Sequence, residues 1–126
     1  MISVRNHDQV IFVDRESGMN RSLTLGQDHE PGDENKTLYE QHNPDYIPER
    51  NGGPSVVVAD SEHNRVVEFQ RSESGWEQSW EYNQGLNWPR DADRLPNGNT
   101  LIADSRDNEV LEVDRSGQVV WRASVP

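Results

Sequence analysis

The chain contains no cysteine, which excludes disulfide staples, thiolate metal sites and thiol nucleophiles together. Lysine is nearly absent as well: Lys36 stands alone beside eleven arginines. Apolar residues make up only 31% of the 126 positions, and no run of them approaches a membrane span or a signal-peptide core. Basic charge is the scarcest resource, with 12 basic residues against 23 acidic ones and a net charge of -11. Nucleic acid and anionic membranes need a basic footprint, and here the arginines are interleaved with acids, so neither is expected as a partner. A soluble chain follows as the expectation, cytoplasmic unless sequence upstream directs export. Dense carboxylates combined with arginine in place of lysine point to adaptation to high salt. Such a surface stays hydrated when salt screens charge to a few ångströms, whereas in dilute buffer it repels itself.

What the chain does have is a repeat. Ala59-Asp60-Ser61-Glu62-His63-Asn64-Arg65-Val66-Val67-Glu68-Phe69 aligns without a gap on Ala103-Asp104-Ser105-Arg106-Asp107-Asn108-Glu109-Val110-Leu111-Glu112-Val113, 44 residues on. Upstream, Asp45-Tyr46-Ile47-Pro48 before Asn51-Gly52-Gly53 matches Asp93-Arg94-Leu95-Pro96 before Asn97-Gly98-Asn99. Downstream, both copies run through a glycine turn to a tryptophan, Gly75 to Trp80 and Gly117 to Trp121. A partial copy comes first: Asn6 to Gly18 matches Arg106 to Gly117 with one additional turn residue. From Val10 to Val66 the spacing is 56 residues, and the surplus fits the polar stretch around Gln27 to Lys36, which reads as a loop insertion.

Each unit holds short β-branched runs between turn residues: Val56 to Val58, Arg65 to Phe69, Thr100 to Ile102, Glu109 to Val113 and Gln118 to Trp121. Asn97-Gly98 and Ser116-Gly117 suit tight hairpin turns, where positive φ is cheap, so successive strands should pair antiparallel. No segment keeps a helical period. A repeat of this length with four short antiparallel strands is what one propeller blade needs, and one blade alone cannot bury both its faces. The predicted fold is therefore all-β: a β-propeller fragment of two full four-stranded blades plus part of a third. Its segments are a partial blade at 1–26, the polar insertion at 27–37, and blades at 38–82 and 83–126. A closed ring needs about four blades or more, so the chain is expected to be a truncated reading frame that begins mid-blade at Ile2, to self-associate, or to join a complementing propeller half.

Propellers usually hold ligands where the innermost strands border the axial channel. Counting back six residues from the shared proline gives His42 before Pro48 and Arg90 before Pro96, which sets the two at equivalent stations. A neutral imidazole serves as nucleophile or proton shuttle near neutral pH, and an arginine fork suits sulfate or phosphate oxygens. From spacing alone, a histidine that hydrogen-bonds between blades is the plainer reading. His63 and His7 sit in turns and read as solvated loop residues, and His29 lies in the acidic insertion. Asp60 and Asp104 end matching strands and read as turn caps in preference to calcium ligands; no metal site is expected. Asn20-Arg21-Ser22 and Asn35-Lys36-Thr37 have the form of glycosylation acceptors. Trp76, Trp80, Trp88 and Trp121 recur near the blade seams, where packing is expected over carbohydrate stacking.

Several strings also resemble the arylsulfotransferase family, in its haloarchaeal type: Val4-Arg5-Asn6, Val13-Asp14-Arg15-Glu16-Ser17-Gly18, Gln41-His42-Asn43 through Pro48, and Asp91-Ala92-Asp93-Arg94-Leu95-Pro96-Asn97-Gly98-Asn99-Thr100-Leu101. The resemblance spans nearly the whole chain and implies a six-bladed propeller whose axial histidines and arginine pass a sulfuryl group from an aryl sulfate to a phenol. It implies His42 as the catalytic histidine that is transiently sulfated, Arg90 as a clamp on sulfate oxygens, and Arg5 and Asn6 as further anion donors. No cofactor is implied, and the ligand would be a small-molecule aryl sulfate or phenol. Part of the family's ring is missing, so the chain is expected to be inactive unless further blades complete it. The alternative is a non-catalytic propeller used as a binding or assembly module.

Overall fold

The computed structural model describes residues 1–19, 23–26 and 36–126. Among these the regular elements are β-strands and single turns of 3-10 helix, as the short β-branched runs and the lack of a helical period require. The all-β class is as expected. The first sheet has three strands, β1 (Ile2–Val4), β2 (Gln9–Ile11) and β5 (Leu25–Gly26), with a small hairpin of β3 (Val13–Asp14) and β4 (Gly18–Met19) beside it. The second sheet is β6 (His42–Ile47), β7 (Ser55–Asp60), β8 (Arg65–Ser72) and β9 (Gly75–Tyr82), in that order and antiparallel throughout. The third repeats it with β10 (Pro89–Arg94), β11 (Thr100–Asp104), β12 (Glu109–Val113) and β13 (Val119–Ser124). The sheets do not close into a ring. Among the described residues no helix is long and apolar enough to cross a membrane.

The sheets stack face to face, and the burial pattern of the middle one records it. Every residue of β7 is buried. Val56 and Val58 join Val10, Leu25, Leu38, Val67 and Phe69 in a cluster with the first sheet. Val57 turns the other way and packs with Ile47, Val66, Ala92, Ile102, Leu111 and Val113 of the second and third sheets. A strand covered on both faces has no polar side to show, which is why Val56 to Ala59 reads as a continuous small apolar run. β11, the counterpart of β7, alternates instead: Thr100, Ile102 and Asp104 are buried while Leu101 and Ala103 are half-buried. Among the described residues its outer face meets no further sheet.

Turn chemistry matches residue choice. Gly98 and Gly117 take φ of 88° and 86°, conformations open to glycine at little cost. In both β12–β13 and β3–β4 an aspartate oxygen ties the turn: Asp114 Oδ1 accepts Ser116 N and Gln118 N at 2.9 and 3.0 Å, and Asp14 Oδ1 accepts Glu16 N and Ser17 N at 2.9 and 2.8 Å.

A repeated fastening holds the loops that enter the second and third sheets. Asp60 Oδ1 accepts Tyr39 N at 2.7 Å, and Asp104 accepts Asn87 N at 2.9 and 3.0 Å, closing each lead-in onto its own sheet. One residue later the lead-in is tied to the preceding sheet: Asp8 Oδ1 accepts Glu40 N at 2.7 Å, and Asn64 Oδ1 accepts Trp88 N at 2.8 Å. Glu40 and Trp88 both adopt left-handed backbone, with φ of 48° and 61°. Such a conformation costs about 1–2 kcal/mol for a residue with a side chain, and the flanking hydrogen bonds hold it. Asp8 and Asn64 are themselves left-handed at φ 53° and 51°, where Asn and Asp are the best tolerated residues after glycine. Lys36, which the insertion was expected to include, is buried instead: its Nζ lies 2.7 Å from Asp8 Oδ2 and 3.8 Å from the Tyr39 ring centre.

Candidate functional site

His42 opens β6, pairing with Ala59 of β7 before a bulge at Asn43 and Pro44. Its Nδ1 lies 2.8 Å from Ser61 Oγ, and that hydroxyl, fully buried, donates to the carbonyl of Pro89 at 2.6 Å. The imidazole meets the Trp88 ring edge-on, centroids 5.1 Å apart. Trp88 is the hub of this region: the Arg90 and Arg106 guanidinium carbons lie 5.2 and 5.0 Å from its ring centre, and its Nε1 donates to Glu62 Oε1 at 2.8 Å. On the other side Arg5 pairs with Glu40, whose backbone is fixed on Asp8.

Burial, then the positive charges of Arg90 and Arg5, push the His42 pKa below its usual value, against a smaller opposing pull from Glu40. The ring is therefore neutral at neutral pH, the form that carries a lone pair for nucleophilic or base chemistry. Two cations that disfavour imidazolium also favour an anion beside the ring. The structure thus brings His42, Arg90 and Arg5 into one electrostatic neighbourhood.

Asn6 sits beside Arg5 in the exposed 3-10 turn Arg5–His7. Other expectations about this region do not hold. Arg90 and His42 are not at equivalent stations. In β10 the bulge falls at Arg90 itself, so the residue facing Ala103, as His42 faces Ala59, is Asp91. Counting back from the proline misses this because both strands carry one extra residue but place it on opposite sides of the station. His63 is not a solvated loop residue: its Nδ1 donates to Asp60 Oδ2 at 2.7 Å and its ring meets Tyr39 edge-on. Asp60 makes no side-chain cap on the turn that follows it. It takes Tyr39 N, His63 and Arg65 Nε instead. Trp76, stacked on Phe12 and donating to Leu23 O, and Trp80, donating to Arg115 O, do sit between sheets. Trp121 is half exposed, on the uncovered side of the third sheet. His29, Asn20 and Asn35 lie outside the described residues.

Sequence reasoning passed over Ser61 and cast Trp88 as seam packing. The signal for Ser61 was present in the repeated Ala-Asp-Ser triplet, but a serine ending a strand carries no distinctive pattern until its neighbours in space are known. A second polar cluster was also missed. Glu68, buried on β8, receives Arg94 Nη2 at 3.0 Å and Arg115 Nη1, both from the third sheet, and Trp80 lies against the two guanidinium groups at 5.4 and 5.7 Å. This cluster borders a groove of about 640 Å³ between the sheets.

No protein-family model matches the chain, and no curated protein matches it.

Proposed function

We propose that the chain is a segment of a β-propeller whose stacked four-stranded sheets are blades, and that it serves arylsulfotransferase-like sulfuryl transfer with His42 as the nucleophile. The observation that carries this reading is the neutral imidazole of His42, held at Nδ1 by Ser61 and set between the charges of Arg90 and Arg5. The lone pair on Nε2 attacks the sulfur of an aryl sulfate, the sulfur–oxygen bond to the ring breaks, and the phenolate leaves with its electron pair. The product is a sulfo-imidazolium. A phenol acceptor then attacks the sulfur, the nitrogen–sulfur bond breaks back to neutral imidazole, and the acceptor's proton ends on the departed phenolate. Arg90, and Arg5 insofar as Glu40 leaves it available, stabilise the sulfuryl oxygens and the departing phenolate. No cofactor enters this scheme. The donor and acceptor are small aromatic molecules, and further blades, from a second copy or a complementing half, supply the remaining groups. The acidic surface fits work in concentrated salt.

A second reading, a non-catalytic assembly module, is favoured by the half-exposed Val120 and Trp121 on the third sheet, Ile2 on the first and Val13 on the hairpin beside it. Large apolar side chains at both ends of a stack are what a docking partner would cover.

The deciding experiment follows phenol release from an aryl sulfate in molar salt alongside light scattering, for the unaltered chain and for His42→Ala. Turnover by a closed assembly that falls to background in His42→Ala is the expected result. An ordered assembly that turns over nothing overturns the enzyme reading in favour of the module.

A further inference from the structure

The hydrogen bonds around Ser61 fix more than its position. A serine hydroxyl has one proton, and a carbonyl oxygen can only accept. With Ser61 Oγ 2.6 Å from Pro89 O, that proton is committed to Pro89. The hydroxyl is therefore left as an acceptor toward His42 Nδ1, 2.8 Å away, and the imidazole must donate. We infer that Ser61 is a positioning residue that holds His42 in the Nδ1–H tautomer, leaving the lone pair on Nε2.

The consequence rests on the role proposed for His42. In the other tautomer the lone pair would point at Ser61, inside the seam, and Nε2 would carry a proton and be unable to attack. The Ser61 contact also strengthens as the ring becomes cationic, because a charged donor makes the stronger hydrogen bond, so it stabilises the sulfo-imidazolium over the resting ring. Ser61 has a structural part too. At the other seam Ser3 Oγ donates to Gln41 O at 3.3 Å, a hydroxyl-to-carbonyl bond with no histidine involved. The histidine is what the second seam adds, and a test must separate the two parts.

Nitrogen-15 NMR of the folded chain does so, because a protonated and an unprotonated imidazole nitrogen have well-separated shifts whether or not any substrate turns over. In the unaltered protein, above the pKa of the ring, His42 Nδ1 should read as the protonated nitrogen and Nε2 as the bare one. Ser61→Ala should redistribute the proton toward Nε2, and Ser61→Thr, which keeps the hydroxyl, should restore the original pattern. Phenol release, where present, should fall about tenfold or more in Ser61→Ala, as loss of the correct tautomer does elsewhere, and recover in Ser61→Thr. A His42 that carries its proton on Nε2 in the unaltered chain overturns the inference even if no variant folds, and so does an unchanged tautomer in Ser61→Ala. Clamped nitrogen shifts with no turnover would instead uphold the positioning role and sink the sulfuryl-transfer reading.

Discussion

Replacing Glu68 by glutamine tests whether the second and third sheets are held together by charge as well as by apolar packing. Glu68 is 5% exposed and Arg94 12% exposed, while Arg115 is 48% exposed and can swing into water. The glutamine keeps the shape but removes the charge that both arginines share, and it strands Arg94, whose Nε already has no partner among the described residues. Leaving one buried charge of a pair uncompensated costs about 3–5 kcal/mol, a fifth or more of the roughly 5–15 kcal/mol that holds a domain folded. Arg115 contributes little to that figure because its exposure lets solvent replace the bond. Urea denaturation at one fixed salt concentration measures the loss, and the cycle Glu68→Gln, Arg94→Met and both together isolates the pair. The double variant should cost less than the sum of the singles by about 1 kcal/mol or more. The penalty should also depend on acid in a set direction. Burial raises the Glu68 pKa, but the hydrogen bond from Arg115 and the charge of Arg94 outweigh it and hold the group below its usual 4.5. A carboxyl depressed in the folded state contributes fully above its unfolded pKa and loses that contribution as pH falls through the folded one. The gap between the unaltered chain and Glu68→Gln should therefore be full at neutral pH and close in strong acid. A cost below about 1 kcal/mol, or strict additivity in the cycle, would refute the reasoning and leave the cluster as a surface-type ion pair.

Two further outcomes follow from the seams. Asn64→Ala should destabilise by about 1 kcal/mol or more, because it removes the exposed bond to Trp88 N and places alanine in left-handed backbone, whereas Asn64→Asp should be nearly neutral, since Asp8 does the same work at the first seam; urea midpoints decide. Arg90→Gln should raise the His42 pKa by removing a repelling cation, moving the midpoint of its NMR titration, and any acid limb of phenol release, to higher pH; a midpoint that stays or falls contradicts the placement of Arg90.

The all-β class and the strands of the second and third sheets were legible because their signals are local: β-branched runs, glycine turns and a repeat that lets one copy check the other. The hairpin beside the first sheet was read from its turn, Asp14 to Gly18, and that turn uses the same aspartate tie as Asp114 to Gly117. What could not be read is where a bulge falls. Both β6 and β10 carry one extra residue, and nothing in Asn43-Pro44 against Pro89-Arg90 says which side of the station it takes, so Arg90 was set one place off. Asp60 and Asp104 were legible as strand ends, but their partners, Tyr39 N and Asn87 N, are 21 and 17 residues away and emerge only when the lead-in loops fold back. Ser61 stood in the repeated Ala-Asp-Ser triplet, but its role was illegible for the same reason, since it depends on a carbonyl from the next sheet.

That dependence ties the candidate chemistry to the seam. His42 belongs to β6 and stays paired with β7 whatever the third sheet does. The carbonyl that commits the Ser61 proton, the ring that packs on the imidazole and the cation that depresses its pKa all come from Pro89, Trp88 and Arg90, consecutive residues at the start of the third sheet. These residues are held across the seam by Asn64 on Trp88 N, and farther along β10 by Asp45 Oδ2 on Arg94 N at 3.0 Å. Local opening of a sheet edge costs less than global unfolding. A seam that loosened without unfolding would therefore free the tautomer, lessen the depression of the imidazole pKa and remove one anion partner together, while the second sheet stayed intact. The strained left-handed backbone at Trp88 is kept at the place where the loop must turn His42's neighbours inward, so strain and candidate chemistry coincide. Glu40 repeats that backbone at the first seam and there carries Arg5, so each seam delivers one arginine toward the same histidine.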